Sequence, residues 1–194
     1  MPRREYPFLP DQYYHFYNRG NNRQTVFFQR ENYFYFLRGL KKYVRGKVDI
    51  LAYCLMPTHY HMLGRVRPGV QTDEVSRMMM RLGVSYTKAI NQRFDRIGSL
   101  FQGQFQGKPV QTYEHLLNLC LYIHTNPVKD GLVGQPEDWE FSNYLEWINL
   151  REGTLVDRDF TEANFGSAEE YRKLVMDTVQ SRGLWLSEEM RAYW

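Results

Sequence analysis

Two histidines spaced i, i+2, His59 and His61, stand in the run Leu51-Ala-Tyr-Cys-Leu-Met-Pro-Thr-His-Tyr-His-Met-Leu63. A strand has a side-chain period of two, so on a strand both imidazoles leave one face and can converge on a metal ion. On a helix they would point roughly 200° apart and could not. Taken alone, such a pair is more often two packed or surface histidines than a metal site. A second cluster, Leu121-Tyr-Ile-His-Thr-Asn-Pro127, sets Tyr122 and Asn126 one helical turn apart on one face. An amide oxygen is a ligand for Mg²⁺ or Mn²⁺, which makes Asn126 a candidate third ligand if its helix packs near the histidine strand. Tyr122 would then lie near the metal, where a phenolate can attack a phosphate that the metal polarises. The competing readings are an ordinary helix aromatic for Tyr122 and a helix C-cap for Asn126, and the single sequence favours those.

The elements that must position these residues follow from periodicity. Residues 13–19 read as a strand ended by the turn residues Gly20-Asn21-Asn22. Residues 30–45 form an amphipathic helix with Tyr33, Phe36, Leu37, Leu40 and Val44 on one face. Strands at 48–55 and 59–66 are joined closely enough for an antiparallel hairpin. A long helix at 72–94 carries the stripe Val75, Met78, Met79, Leu82, Tyr86 and Ile90. The segment 98–107, with glycines at 98, 103 and 107, either connects to a strand at 108–112 or brings backbone close to a ligand. A helix at 113–125 is expected to stop at Asn126-Pro127, because proline disfavours helix at the residue before it. Helices at 168–180 and 187–193 follow. The order β-α-β-β-α-β-α predicts an α+β fold: an antiparallel sheet with packed helices, ferredoxin-like or RNA-recognition-like. Residues 1–149 form the expected main domain and 150–194 an acidic, helical C-terminal extension.

The chain has 194 residues and a net charge of +3, and that small value conceals a division. Residues 1–110 hold 18 Lys and Arg against 7 Asp and Glu, whereas residues 111–194 hold 7 against 15. A body with net +11 suggests a polyanionic partner, and the 15 Tyr and 12 Phe of the whole chain suit single-stranded nucleic acid, where bases stack on rings. The acidic extension opposes that charge and is expected to shield the surface that binds the polyanion. No apolar run is long enough to span a membrane, and the N-terminus lacks a signal-peptide core. Cys54 and Cys120, in apolar contexts, read as buried reduced thiols and fit a cytoplasmic location.

Four segments in order carry a resemblance. They are Tyr14-His-Phe-Tyr-Asn-Arg-Gly-Asn-Asn-Arg-Gln24, Tyr53-Cys-Leu-Met-Pro-Thr-His-Tyr-His-Met62, Leu100-Phe-Gln-Gly-Gln-Phe105 and Tyr122-Ile-His-Thr-Asn-Pro-Val-Lys-Asp-Gly-Leu-Val133. Together with Trp139-Glu-Phe-Ser-Asn-Tyr144 they resemble the single-tyrosine HUH transposases, and within them the REP-associated tyrosine transposases. The resemblance implies a single-stranded DNA endonuclease and strand transferase that forms a 5′-phosphotyrosine link. It implies Tyr122 as nucleophile, His59 and His61 as ligands of Mg²⁺ or Mn²⁺, and Asn126 where relatives carry a glutamine ligand. The implied partners are DNA hairpins of repeated palindromes, and the implied state is a monomer or a homodimer. One departure is Tyr60, where the motif calls for a bulky hydrophobe.

Among basic residues, Arg19 and Arg23 flank an Asn-rich turn and are candidate DNA contacts. Arg65 and Arg67 share the parity of His59 and His61, so a regular strand would extend the metal-site surface through them. Arg77, Arg81 and Lys88 are expected along the same channel. His15 reads as a packed strand residue, His124 as local structure, and His115 as solvent-facing. Two other functions remain open: a hairpin-binding module without cleavage, and a metal phosphodiesterase using water with Tyr122 structural.

Overall fold

The computed structural model describes residues 6–181, so the helix expected at 187–193 lies outside the described residues. The sheet is built from β1 (Tyr13–Arg19), β2 (Val48–Met56), β3 (His59–Val66) and β4 (Gln106–Pro109). All pairings are antiparallel and the spatial order is β2-β3-β1-β4, the ferredoxin-like topology. Helices α1 (Arg30–Val44) and α2 (Thr72–Arg93) precede α3 (Tyr113–Lys129), α4 (Tyr144–Trp147), α5 (Arg158–Phe165) and α6 (Ala168–Gln180).

Strand parity divides the core in two. Tyr14 and Phe16 of β1 and Tyr60, Met62 and Val66 of β3 join the apolar faces of α1 and α2. The opposite face offers Leu63, Leu51, Cys54 and Met56 to Leu116, Leu119 and Ile123 of α3. Full burial of one such large apolar side chain contributes roughly 1.5–3 kcal/mol. In β2 a register shift between Ile50 and Ala52 changes which parity faces which layer. Tyr60 fills the hydrophobe's place: it is buried, with its ring 5.0 Å from that of Phe36. Cys54 and Cys120 are buried and unbridged.

Three boundaries differ from the sequence expectation. The fourth strand lies at 106–109 rather than 108–112, because this edge strand is selected by pairing with β1, Tyr17 opposite Gln106 and Tyr14 opposite Pro109. Helix α3 does not stop before Pro127 but runs to Lys129. Proline removes only its own N–H, and later donors still close the turn, with Asp130 N bonded to Asn126 O at 2.9 Å. Finally, the segment after residue 150 joins the second core: Tyr171 and Val175 of α6 are fully buried beside α3.

Candidate functional site

The site forms on the sheet face that α3 covers. His59 and His61 leave β3 toward that face, and His15 leaves β1 toward it as well, since Tyr13, His15, Tyr17 and Arg19 share one parity. His15 Nε2 lies 2.9 Å from His61 Nδ1, and Thr58 Oγ1 lies 2.9 Å from His59 Nδ1. These partners engage the Nδ1 of each ring, an arrangement suited to ligation through Nε2. For His61 to present an unprotonated Nε2, its Nδ1–H must donate to His15 Nε2, and His15 then carries its own proton on Nδ1. Burial lowers the pKa of all three rings. His59 falls to about 4, with Arg19 adding to the effect. His15 falls to about 3, with His115 and Lys108 contributing. His61 lies well below its usual value, through burial and then its neighbours His15, His59 and Lys129. All three are neutral near pH 7, the state a metal ligand requires.

Tyr122 brings α3 to the histidines: its ring meets that of His61 edge-on, with centroids 5.3 Å apart. Lys129, two turns further along α3, sets its Nζ 5.3 Å from the centre of the Tyr122 ring. Asn126 lies between them in sequence and is completely buried, and among the described residues neither atom of its amide has a hydrogen-bond partner. A buried amide without partners costs on the order of 1–3 kcal/mol. Two neutral imidazoles and an orphaned amide are a donor set that fits a divalent cation. Among the described residues no three His, Cys, Asp or Glu side chains group for a metal.

A cleft of about 580 Å³ opens at this end of the sheet. His59, His61, Thr58, Arg19, Arg23 and Asp130 form part of its wall. The glycine-rich segment supplies Gln102 and Gln106. It is docked on the end of β1 by Gln102 N to Arg19 O, 2.9 Å, and by Arg19 Nε to Gln102 Oε1, 2.7 Å. At Gly20 a Cβ would fall 2.0 Å from the carbonyl oxygen of Gln24, so only glycine fits where the chain folds back beside the cleft. Tyr122 and Asn126 are buried and form no part of the cleft wall.

The remaining arginines of the sequence reading are elsewhere. β3 ends at Val66, so the alternation does not continue to Arg67. Arg65 and Arg67 both engage Asp49, at 3.3 and 2.6 Å, at the end of β3 away from His59. Arg77, Arg81 and Lys88 are on α2, whose apolar stripe packs on the opposite face of the sheet, and Arg77 pairs with Asp73. Sequence reasoning missed the support that His15 gives His61, the place of Lys129 over Tyr122, and Asp130 in the cleft wall. Pairing Tyr17 of β1 with His61 would have exposed the first, and spacing i, i+7 on α3 the second. His115 is buried rather than solvent-facing, and its N–H caps onto Thr112 Oγ1 at 3.1 Å.

Residues 9–126, which span every element from the entry to β1 through Asn126, match the family of IS200-like transposases. The chain belongs to that family. This transposase chain is 25% identical over 105 residues to a Haemophilus influenzae protein described as a REP-associated tyrosine transposase, the match covering 50% of the chain and 58% of that protein. The chain thus spans less than two thirds of its relative's length. Among solved structures it is similar to a REP-associated tyrosine transposase bound to a REP hairpin, with a TM-score of 0.64 and 19% identity. That match covers 81% of this chain and 98% of the other, and it supports the fold of the transposase. No helix among the described residues is long and apolar enough to cross a membrane.

Proposed function

We propose that this transposase cleaves and rejoins single-stranded DNA beside palindromic hairpins, with Tyr122 as the nucleophile. The observation that carries this reading is the contact of the Tyr122 ring with His61, which joins a nucleophile on α3 to the histidine pair of β3. The similar structure with a bound REP hairpin supports the choice of substrate.

In the proposed step Tyr122 Oη attacks the scissile phosphorus. A tyrosyl O–P bond forms, the P–O3′ bond breaks, and the phenol proton is released while the departing O3′ takes up a proton. Arg19 and Arg23 hold flanking phosphates in the cleft. Lys129 meets the negative charge that gathers beside Tyr122. Asp130, whose pKa burial raises, is the carboxylate of the cleft wall suited to carry the proton. His59, His61 and Asn126 would hold Mg²⁺ or Mn²⁺, which supplies Lewis-acid polarisation of the phosphate. His15 and Thr58 orient the two imidazoles. Because Tyr122 is only 1% exposed, its ring must swing toward the cleft for attack.

The test is incubation with Mn²⁺ and labelled single-stranded palindromic hairpins, followed by denaturing electrophoresis. A covalent DNA–protein adduct is expected, and Tyr122→Phe abolishes it. Binding with neither adduct nor cleavage would assign a binding module instead. Cleavage that survives Tyr122→Phe would assign a water-using phosphodiesterase.

A further inference from the structure

The proposed cleavage moves two protons, and they belong to opposite sides of the phosphorus. Tyr122 gives one up as it attacks, and the departing O3′ takes one on. In phosphoryl transfer the attacking and leaving oxygens stand roughly in line, so each side calls for its own group. Asp130 follows Lys129 at the end of α3, the helix that carries Tyr122, and so serves the attacking side. The leaving side needs a donor. Among the described residues of the cleft wall the choices are few. Arg19 and Arg23 carry guanidinium groups, which do not give up protons, and the amides of Asn18, Gln102 and Gln106 are not acids. The histidines are needed neutral for a cation, and Thr58 Oγ1 is engaged with His59 Nδ1 at 2.9 Å. That leaves the phenol of Tyr17.

The sheet places Tyr17 for this task. It stands on β1 directly opposite His61 of β3 and Gln106 of β4, and its parity sends its side chain to the same face as His15 and Arg19. Its ring centre lies 6.0 Å from that of His61 and 4.8 Å from that of His15, at interplanar angles of 31° and 32°. Two imidazoles therefore fix where the phenol ring sits. Tyr122 meets the same His61 ring from α3, at 5.3 Å and 78°. One imidazole thus has two tyrosines against it, one from the helix layer and one from the neighbouring strand. Tyr122 is buried, whereas Tyr17 is partly exposed and walls the cleft. A phosphate seated beside His59 and His61 would have one tyrosine on its α3 side and another on its β1 side. A phenol keeps its proton through neutral pH and can pass it to a developing alkoxide.

We propose that Tyr17 is the general acid of the cleavage, its Oη–H protonating O3′ as the P–O3′ bond breaks. The inference rests on the proposed tyrosine mechanism, and its test separates the two. The bonding pair goes to O3′, which becomes the 3′-hydroxyl, and the Tyr17 oxygen regains a proton from solvent. On the other side Asp130 takes the proton of Tyr122, so charge and protons balance. Full-length protein is mixed with Mn²⁺ and either of two hairpin DNAs under single-turnover conditions. One DNA has the ordinary oxygen at the scissile 3′ position, and the other a bridging sulfur, whose thiolate leaves without an acid. Tyr17→Phe keeps the ring on both imidazoles and deletes the hydroxyl. It is expected to slow adduct formation about 100-fold on the oxygen DNA and less than about 3-fold on the sulfur DNA. Asp130→Asn is expected to slow both alike. Affinity for a blunt hairpin, which has no site to cleave, stays at the wild-type value in both variants. Equal losses on the two DNAs in Tyr17→Phe would overturn the acid and make Tyr17 a packing or DNA-holding residue. An unchanged rate on the oxygen DNA would overturn it too. Sulfur rescue of Asp130→Asn in place of Tyr17→Phe would pass the role to Asp130. A wild type that forms no adduct with either DNA would overturn the tyrosine mechanism itself and the acid with it, a result distinct from the others.

Discussion

Histidines of one chemical type do three different jobs here, and their neighbours decide which. His59 and His61 share a strand face with α3 above it, whereas His124 faces away from them, bonded to the Tyr171 hydroxyl at 2.7 Å and to Asn143 Oδ1 at 3.0 Å. His15 is the instructive case. Its Nε2 lies 2.9 Å from His61 Nδ1, so in the proposed site it would accept from His61 and act on a metal only through that ring. His15→Phe keeps a ring of similar breadth and deletes that acceptor. We expect it to weaken Mn²⁺ binding by about 10–100-fold, read by calorimetric titration, while the fold and blunt-hairpin binding persist. Unchanged Mn²⁺ affinity would reduce His15 to packing. The sequence named His59 and His61 because the i, i+2 spacing is a local signal. It could not assign His15 its role, because that role depends on the register of β1 against β3, a long-range fact.

At the scale of elements, α3 is the part to be positioned, and the C-terminal segment does the positioning. Asn143 ties the layers together: its Nδ2 donates to Leu51 O at 2.7 Å, and its Oδ1 accepts from Tyr53 N at 2.7 Å and also meets His124. Tyr171 closes the arrangement from α6. The charge of residues 150–194 had suggested a shield over the DNA channel, yet among the described residues none beyond Asp130 lines the cleft. Charge reads well from sequence, but where a charged segment docks depends on its few apolar residues, here Tyr171 and Val175. Strands β1 and β3 and helix α1 were legible because period-two and 3.6-residue patterns are local. The end of α3 and the position of β4 were not, because later donors of the helix itself carry α3 past Pro127 and pairing with β1 selects β4. Two variants test the buttress. Tyr171→Phe removes one buried hydroxyl and should cost about 1–3 kcal/mol in urea unfolding while adduct formation continues. Truncation after residue 149 should abolish adduct formation through loss of the fold; a folded, truncated protein that binds DNA more tightly would restore the shielding idea.

Across the whole molecule, the same burial that suits histidines to bind metal makes the fold sensitive to acid. His15 is held to about 3 and His59 and His124 to about 4, chiefly by burial, against 6.5 when exposed. Between pH 6.5 and about 4 the unfolded chain therefore binds protons that the folded chain refuses. Stability is complete above about pH 6.5, falls as the pH drops through that window, and stops falling below the folded values. One such group accounts for on the order of 3 kcal/mol across the window. Two remove much of a typical total of roughly 5–15 kcal/mol. Carboxylates held low by partners, such as Glu140 beside Arg30, act below their usual value of 4.5, so the fall between pH 6.5 and 5 belongs to the histidines. Urea midpoints measured in chelator should be level from pH 8 to 7 and drop steeply from 6.5 to 5. Added Mn²⁺ should raise the midpoint at pH 7 and delay the fall, since coordination holds His59 and His61 neutral in the folded state alone. A midpoint level down to pH 5 in chelator would mean that these histidines are not buried in neutral form. The acid fall without any effect of Mn²⁺ would leave the packing intact and remove the metal from the site.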